Sequence, residues 1–214
     1  IDQGVRVEPF VFIDADHGPV YIERDVVIRS HTRIKGPAYI GAGSQILGGV
    51  ITASSIGSQC KIHGEVSHSV IHSYTNKAHD GFLGHSYVGE WVNLGAMTTN
   101  SNLKNTYGSI QVETADARWD SGQQFLGVCM GDHVKTAVGT LLRAGTMVGY
   151  GSTLLGRDHC GWVPPFSWGE ALNYTRQQLP QFLRAVERMM QRRTIQLRTA
   201  DKKLMALLFE YAHS

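Results

Sequence analysis

Five isoleucines at one interval constrain this chain more than any other feature. Ile22, Ile28, Ile34, Ile40 and Ile46 are spaced by six without a miss, and Val26, Thr32, Ala38, Ser44 and Val50 stand at the fourth place after each. A period of six is neither the two of a plain strand nor the 3.6 of a helix. Self-similarity sustained in this way signals a solenoid in which each short strand ends at a corner. β-Branched residues suit the pleated, tightly packed interior of such a coil, and small fourth-place residues fit a narrow core. The five isoleucines are therefore expected to point inward.

The period slips by ten residues to Ile56, resumes at Ile62, then slips by eight to Val70 before Asn76, Phe82, Val88 and Leu94 continue it. Slips of this kind map to corners, where solenoids tolerate insertions. Val5 and Val11 belong to an irregular first coil. Between residues 101 and 127 the period is lost, which predicts an excursion folded over the adjacent coil with a short strand at 110–112. It returns at Met130, Thr136, Leu142, Val148 and Leu154, with Val134, Thr140, Thr146 and Ser152 at the fourth place, and ends near Gly156.

Beyond that point, GWVPPFSWGEALNY is hostile to helix and reads as an extended run along the solenoid flank. Two helices follow. Pro180 suits a first helical turn ahead of a stripe of Phe182, Leu183, Val186, Met189 and Met190; Thr199 reads as an N-cap before Leu204, Leu207, Leu208 and Tyr211. They are expected to cap the open end of the solenoid or to meet a neighbouring subunit. The division is thus a mainly β, parallel β-helix domain over 1–158, with its inserted loop at 101–127, followed by an extended segment and C-terminal helices over 159–214.

Composition narrows the setting. A formal charge of +2 gives no general affinity for nucleic acid, although eight Lys or Arg against two acids fall between Arg176 and Lys203. No apolar run reaches eighteen residues and no signal-peptide pattern is present, so the expectation is a cytoplasmic protein with no membrane partner. Cys60, Cys129 and Cys160 have no metal-like spacing and are expected to be reduced. The chain begins at Ile1 rather than Met, as expected of a processed form or a piece of something longer.

Chemistry is densest in the one polar hexad, residues 76–81, where Lys77, His79 and Asp80 interrupt the stacking pattern. With KAHDGFLG, VNLGAMT and Asn102 in view, the sequence resembles the left-handed parallel β-helix acyltransferases. Within these it is most similar to the acetyltransferase domain of bifunctional N-acetylglucosamine-1-phosphate uridyltransferase/glucosamine-1-phosphate acetyltransferases. HDGFLGHS and PPFSWG are closer still to predicted sugar nucleotidyltransferase-like relatives, in which the β-helix follows a nucleotidyltransferase domain that is expected to lie outside these residues. The resemblance covers residues 20–156.

It implies a left-handed coil of three hexads, a homotrimer, and acetyl-CoA as co-substrate in a groove between subunits, with no metal required. Carried over residue by residue, the catalytic base falls on His79. Acceptor-binding positions fall on Asn93 and Asn102, the backbone N–H that meets the thioester oxygen on Ala96, and further CoA contacts on Val138 and Gly156. Phe82 replaces a Tyr that the family uses on the sugar phosphate, and Gly49 and Ser67 stand where it holds the phosphate with basic residues. Lys61, Lys77 and Lys104 are the candidates to restore that charge. His85, despite its GHSYVGE setting, does not match the base.

Acetyl transfer to an amine needs a base for the nitrogen's proton and a donor for the tetrahedral oxyanion. An imidazole, with an ordinary pKa of about 6.5, suits the first task and a backbone N–H the second. The bland alternatives are a surface-loop histidine at 79 and corner asparagines at 93 and 102. Two other readings stay open. One is a metal site drawn from His63, His68, His72, His79 or His85, for which three convergent imidazoles are needed; the other is a non-catalytic trimerising or regulatory β-helix of a sugar nucleotidyltransferase-like protein. The basic helix around Arg184, Arg188, Arg192 and Arg193 reads as a solvated face or as a reach toward the CoA phosphates.

Overall fold

The six-residue period carries the chain across one face of a three-sided coil at each step. In the computed structural model, which describes residues 1–212, Ile22 closes the strand Val20–Ile22 on a first face, Ile28 the strand Val27–Ile28 on a second, and Ile34 lies in Thr32–Lys35 on a third. Ile40 then returns to the first face as the ladder partner of Ile22, and Ile46 to the second as that of Ile28. All five isoleucines are 0% exposed. Burying each is worth roughly 1.5–3 kcal/mol. Eight short parallel strands stack on the first face, from Val20–Ile22 to Trp162–Val163. One apolar core runs up the inside, from Ile22 to Val163.

Turning after each strand requires left-handed backbone at the corners. Glycine supplies some of it, but His31, His68, His85 and His133 also adopt φ of 62°, 48°, 50° and 61°. Histidine enters this region more readily than most side chains. Part of the chain's histidine content therefore has a conformational origin.

The register departs from the hexad expectation in the middle of the chain. Ile46 to Ile56 is two steps of five through Ile51, because the ladder shifts register between Ile46 and Gly49. Gly49 tolerates this at φ 95°; a Cβ there would lie 2.2 Å from the Gly64 carbonyl oxygen. Ile51 is consequently buried and Val50 faces out at 37% exposure. In the same way Ile71 is inside and Val70 outside. One residue of offset then carries forward: Lys77 and Leu83, rather than Asn76 and Phe82, occupy the inward positions, each 2% exposed. The hexads after Met130 keep their expected register, with Leu142, Val148 and Leu154 inside.

The parallel ladder does not stop at Gly156. Trp162–Val163 pairs with Met147–Val148, and Ser167–Glu170 with Thr153–Leu154. Val163 and Phe166 are fully buried, so the Pro-Pro run forms part of a further coil instead of lying on the flank. Asn173–Arg176 adds antiparallel to the last strand of the second face and covers its edge. The excursion after Ser101 contains an antiparallel pair, Gln111–Glu113 with Arg118–Asp120, and buries Ile110 and Val112.

Helix α1 (Leu179–Gln191) has Pro180 in its first turn and buries Phe182, Val186 and Met190. It packs with helix α2 (Thr199–Tyr211) against Trp91 and Phe166, joined by Tyr74 and Tyr150. These aromatics line the edge between the first and second faces, so the helices cover a flank and not the open end. Thr199 is the first helical residue, not the cap; the Arg198 N–H donates to the Asp201 carboxylate at 3.2 Å. Met205 is the buried residue of α2, while Leu204 and Leu207 face out, one position out of phase with the expected stripe. Among the described residues no helix is long and apolar enough to cross a membrane.

Candidate functional site

The polar hexad owes its shape to a lysine inside the solenoid. Lys77 is the ladder partner of Ile62, and the same inward column holds Ile28 and Ile46. Its ammonium bends to the edge between the second and third faces, donating to the carbonyls of His63 at 2.7 Å and His79 at 2.9 Å. Gly64 makes the room: a Cβ there would sit 2.9 Å from the Lys77 Nζ. Burial pushes the Lys77 pKa down to about 8, against the opposing pull of Asp80 and Glu65. From sequence, Lys77 is expected to be a substrate ligand. Its head group is instead turned inward, where it fixes the backbone of the His79 corner.

That corner is one level of a continuous edge. The Met97 N–H donates to the Asp80 carbonyl at 3.0 Å, and the Gly139 N–H to the Ala96 carbonyl at 2.8 Å. One level further on, the Ala137 N–H donates to Leu154, and Thr140 Oγ1 to the Gly156 carbonyl at 3.4 Å. His79, Ala96, Val138 and Gly156 thus line a single edge, in that order. The His79 side chain is exposed, and Val138 is 74% exposed. The Ala96 N–H makes no hydrogen bond among the described residues. Asp80 does not orient His79; its carboxylate faces the His63 Nδ1 at 3.1 Å.

Asn102 belongs to a different edge, between the third and first faces. Its Nδ2 contacts the His85 Nδ1 at 2.8 Å. His85 stacks on His68 at 4.7 Å and on Phe125 of the excursion at 5.1 Å. Burial first, and then the charge of His68, lowers the His85 pKa. Phe82 lies between the two edges, its ring over Gly84, where a Cβ would fall 2.2 Å from the Phe82 Cζ. Lys104 is held within the excursion by the Ser109 carbonyl. Within one chain, therefore, His79, Ala96, Val138 and Gly156 come together, whereas Asn102 and Lys104 lie across the third face from them, Asn102 a full hexad beyond Ala96.

Asn93 lies on the second face, exposed, three residues before Ala96. It accepts from Asn76 Nδ2 at 3.4 Å, and Asn76 in turn accepts from Arg193 of the segment after α1 at 2.6 Å. The approach of α1 to this face has no signal in the sequence, because nothing in the hexads fixes where an appended helix lies. Four of the five histidines weighed as metal ligands are engaged elsewhere: His63 with Asp80, His68 with His85, and His72 with Tyr87. Among the described residues no group of three or more His, Cys, Asp or Glu is placed to hold a metal ion.

No protein-family profile matches the chain. It is 32% identical over 99 residues to the bifunctional sugar-1-phosphate nucleotidylyltransferase/acetyltransferase of Sulfurisphaera tokodaii, a match that covers 44% of this chain and 25% of that protein. Over that stretch this parallel β-helix is similar to a bifunctional enzyme of that kind. This β-helix is also 35% identical over 85 residues to the bifunctional protein GlmU of Methanocaldococcus jannaschii, covering 40% of this chain and 21% of that one. It matches only about a quarter of the length of either relative. The UDP-N-acetylglucosamine acyltransferase of Francisella novicida superposes with a TM-score of 0.44 at 15% identity, covering 97% of this chain and 78% of that structure, a likeness too distant to bear on function.

Proposed function

We propose that this β-helix transfers an acetyl group from acetyl-CoA to the amine of a sugar phosphate of the glucosamine 1-phosphate kind, with His79 as general base. The observation that carries the proposal is the shared edge of His79, Ala96, Val138 and Gly156, with the Ala96 N–H left as an unused donor. In this reading CoA lies along that edge, its thioester carbonyl at Ala96. The acceptor amine attacks the carbonyl carbon and His79 takes its proton. The Ala96 N–H stabilises the oxyanion, and the CoA thiolate leaves.

Asn102, Phe82 and Lys104 sit on or toward another edge, so the reading needs a second subunit to bring them to His79. A homotrimer supplies this by symmetry, one subunit's Asn102 edge meeting the neighbour's His79 edge. The name of the Sulfurisphaera tokodaii relative, a bifunctional sugar-1-phosphate nucleotidylyltransferase/acetyltransferase, supports acetyl transfer in partnership with a nucleotidyltransferase domain. The test is calorimetric titration with CoA, followed by mass-spectrometric detection of acetylated product across a panel of amino-sugar phosphates. CoA binding without acetylation of any acceptor would decide for the non-catalytic, trimerising reading.

A further inference from the structure

Helix α1 does not lie flat on the second face; a cavity of about 450 Å³ remains beneath its basic edge. Five cations line it: Lys61 and Lys135 from the solenoid, and Arg188, Arg192 and Arg193 from the helix and its end. No Asp or Glu is among the lining residues. Among the described residues none of the five takes part in an ion pair. Lys135 donates to the His133 carbonyl at 3.1 Å, and burial alone, with no countercharge, pushes its pKa down to about 8. The bonds from Arg193 to Asn76 and from Asn76 to Asn93 fix the floor and leave the Asn93 amide as a further donor.

Gathering cations without a countercharge is unfavourable unless an anion completes the set, and guanidinium forks beside lysines match tetrahedral phosphate oxygens. We propose that this cavity binds a phosphoryl group. Asn76 and Asn93 stand three residues before His79 and Ala96 on the same strands, so the site lies about 10 Å from the proposed reaction edge. Two sources of phosphate fit that distance, the acceptor's phosphate and a phosphate of CoA. The choice between them rests on the acetyl-transfer reading; the anion site itself does not.

The experiment is calorimetric titration of the full chain with inorganic phosphate, and with two matched pairs: glucosamine 1-phosphate against glucosamine, and CoA against 3′-dephospho-CoA. Wild type should bind inorganic phosphate and favour the phosphorylated member of one pair, which names the source. Arg192→Gln/Arg193→Gln should weaken phosphate binding by about tenfold or more and remove that preference. Arg184→Gln, away from the cavity, should stay within about twofold of wild type. Circular dichroism checks the fold, and Lys135→Met, expected to weaken binding in the same sense, decides if the double variant unfolds.

No phosphate binding by wild type, or wild-type binding by a folded cavity variant, overturns the proposal; so does saturation only at salt-like concentrations insensitive to the substitutions. Variant-sensitive phosphate binding without acetyl transfer would keep the site and sink the catalytic reading. Acetyl transfer with unaltered phosphate binding in the variants would do the reverse.

Discussion

Lys77→Met removes a buried ammonium, and its effect on stability should depend on pH. The folded-state pKa of about 8 lies below the ordinary 10.5, so folding disfavours the protonated form. Below about pH 8 the folded and unfolded chains both carry the proton and the penalty is full. Between about 8 and 10.5 the unfolded chain holds more proton, so stability rises with pH; above 10.5 the penalty is gone. The gap corresponds to about 3 kcal/mol. Against it stand the His63 and His79 carbonyls, which Lys77→Met would leave without their donor at a cost of about 1–3 kcal/mol each. At pH 7 the terms nearly offset, and the variant should be close to wild type in stability. By pH 10 wild type should have gained about 2 kcal/mol relative to Lys77→Met. Urea unfolding of both proteins at the two pH values isolates this term, because other titrating groups cancel in the difference. A difference that stays constant within about 0.5 kcal/mol would mean that Lys77 is not buried as a cation.

Gly81→Ala should lower stability by about 1–3 kcal/mol or more: its φ is 129° and a Cβ would stand 2.1 Å from the Thr98 carbonyl oxygen. Thermal unfolding should show no comparable loss for Gly108→Ala, whose Cβ would meet only Thr106 Oγ1 at 3.9 Å. Titrated by NMR, His85 should protonate below the ordinary histidine range and move up toward it in His68→Ala. Because the unfolded chain takes up that proton first as pH falls, His85 should subtract stability in acid; titration at or above the ordinary value would contradict its burial. Sedimentation at micromolar concentration should give three chains per particle, and a stable monomer would remove the inter-subunit site from consideration.

The isoleucine run was legible because five successive strands obey one spacing and nothing interrupts the coil. The same signal misled at Val50 and again from Val70 to Phe82. A register shift at Gly48–Gly49 is invisible in composition; Ile56 and Ile62 stay inside beyond it, but Val70, Asn76 and Phe82 give up the inward positions to Ile71, Lys77 and Leu83. Hence Val70 and Phe82 looked internal, and a core lysine was read as a surface one. The coil at Val163 and Phe166 was missed because prolines hid it, although both residues are apolar and fully buried. The His79 edge was legible only through resemblance: spacing alone marked the polar hexad but not which of its side chains faces out. Nothing in the sequence pattern announced the cavity under α1, since Lys61, Lys135 and Arg193 are far apart along the chain and meet only through docking of the helix.

The most direct test of the central claim is acetyl transfer by His79→Ala beside wild type, with CoA affinity measured on the same samples. The His79 side chain is exposed, so the variant should fold normally. Turnover should fall by about 10²- to 10⁴-fold while CoA affinity stays nearly unchanged. His85→Ala should be much milder. Equal turnover by wild type and His79→Ala would contradict the account.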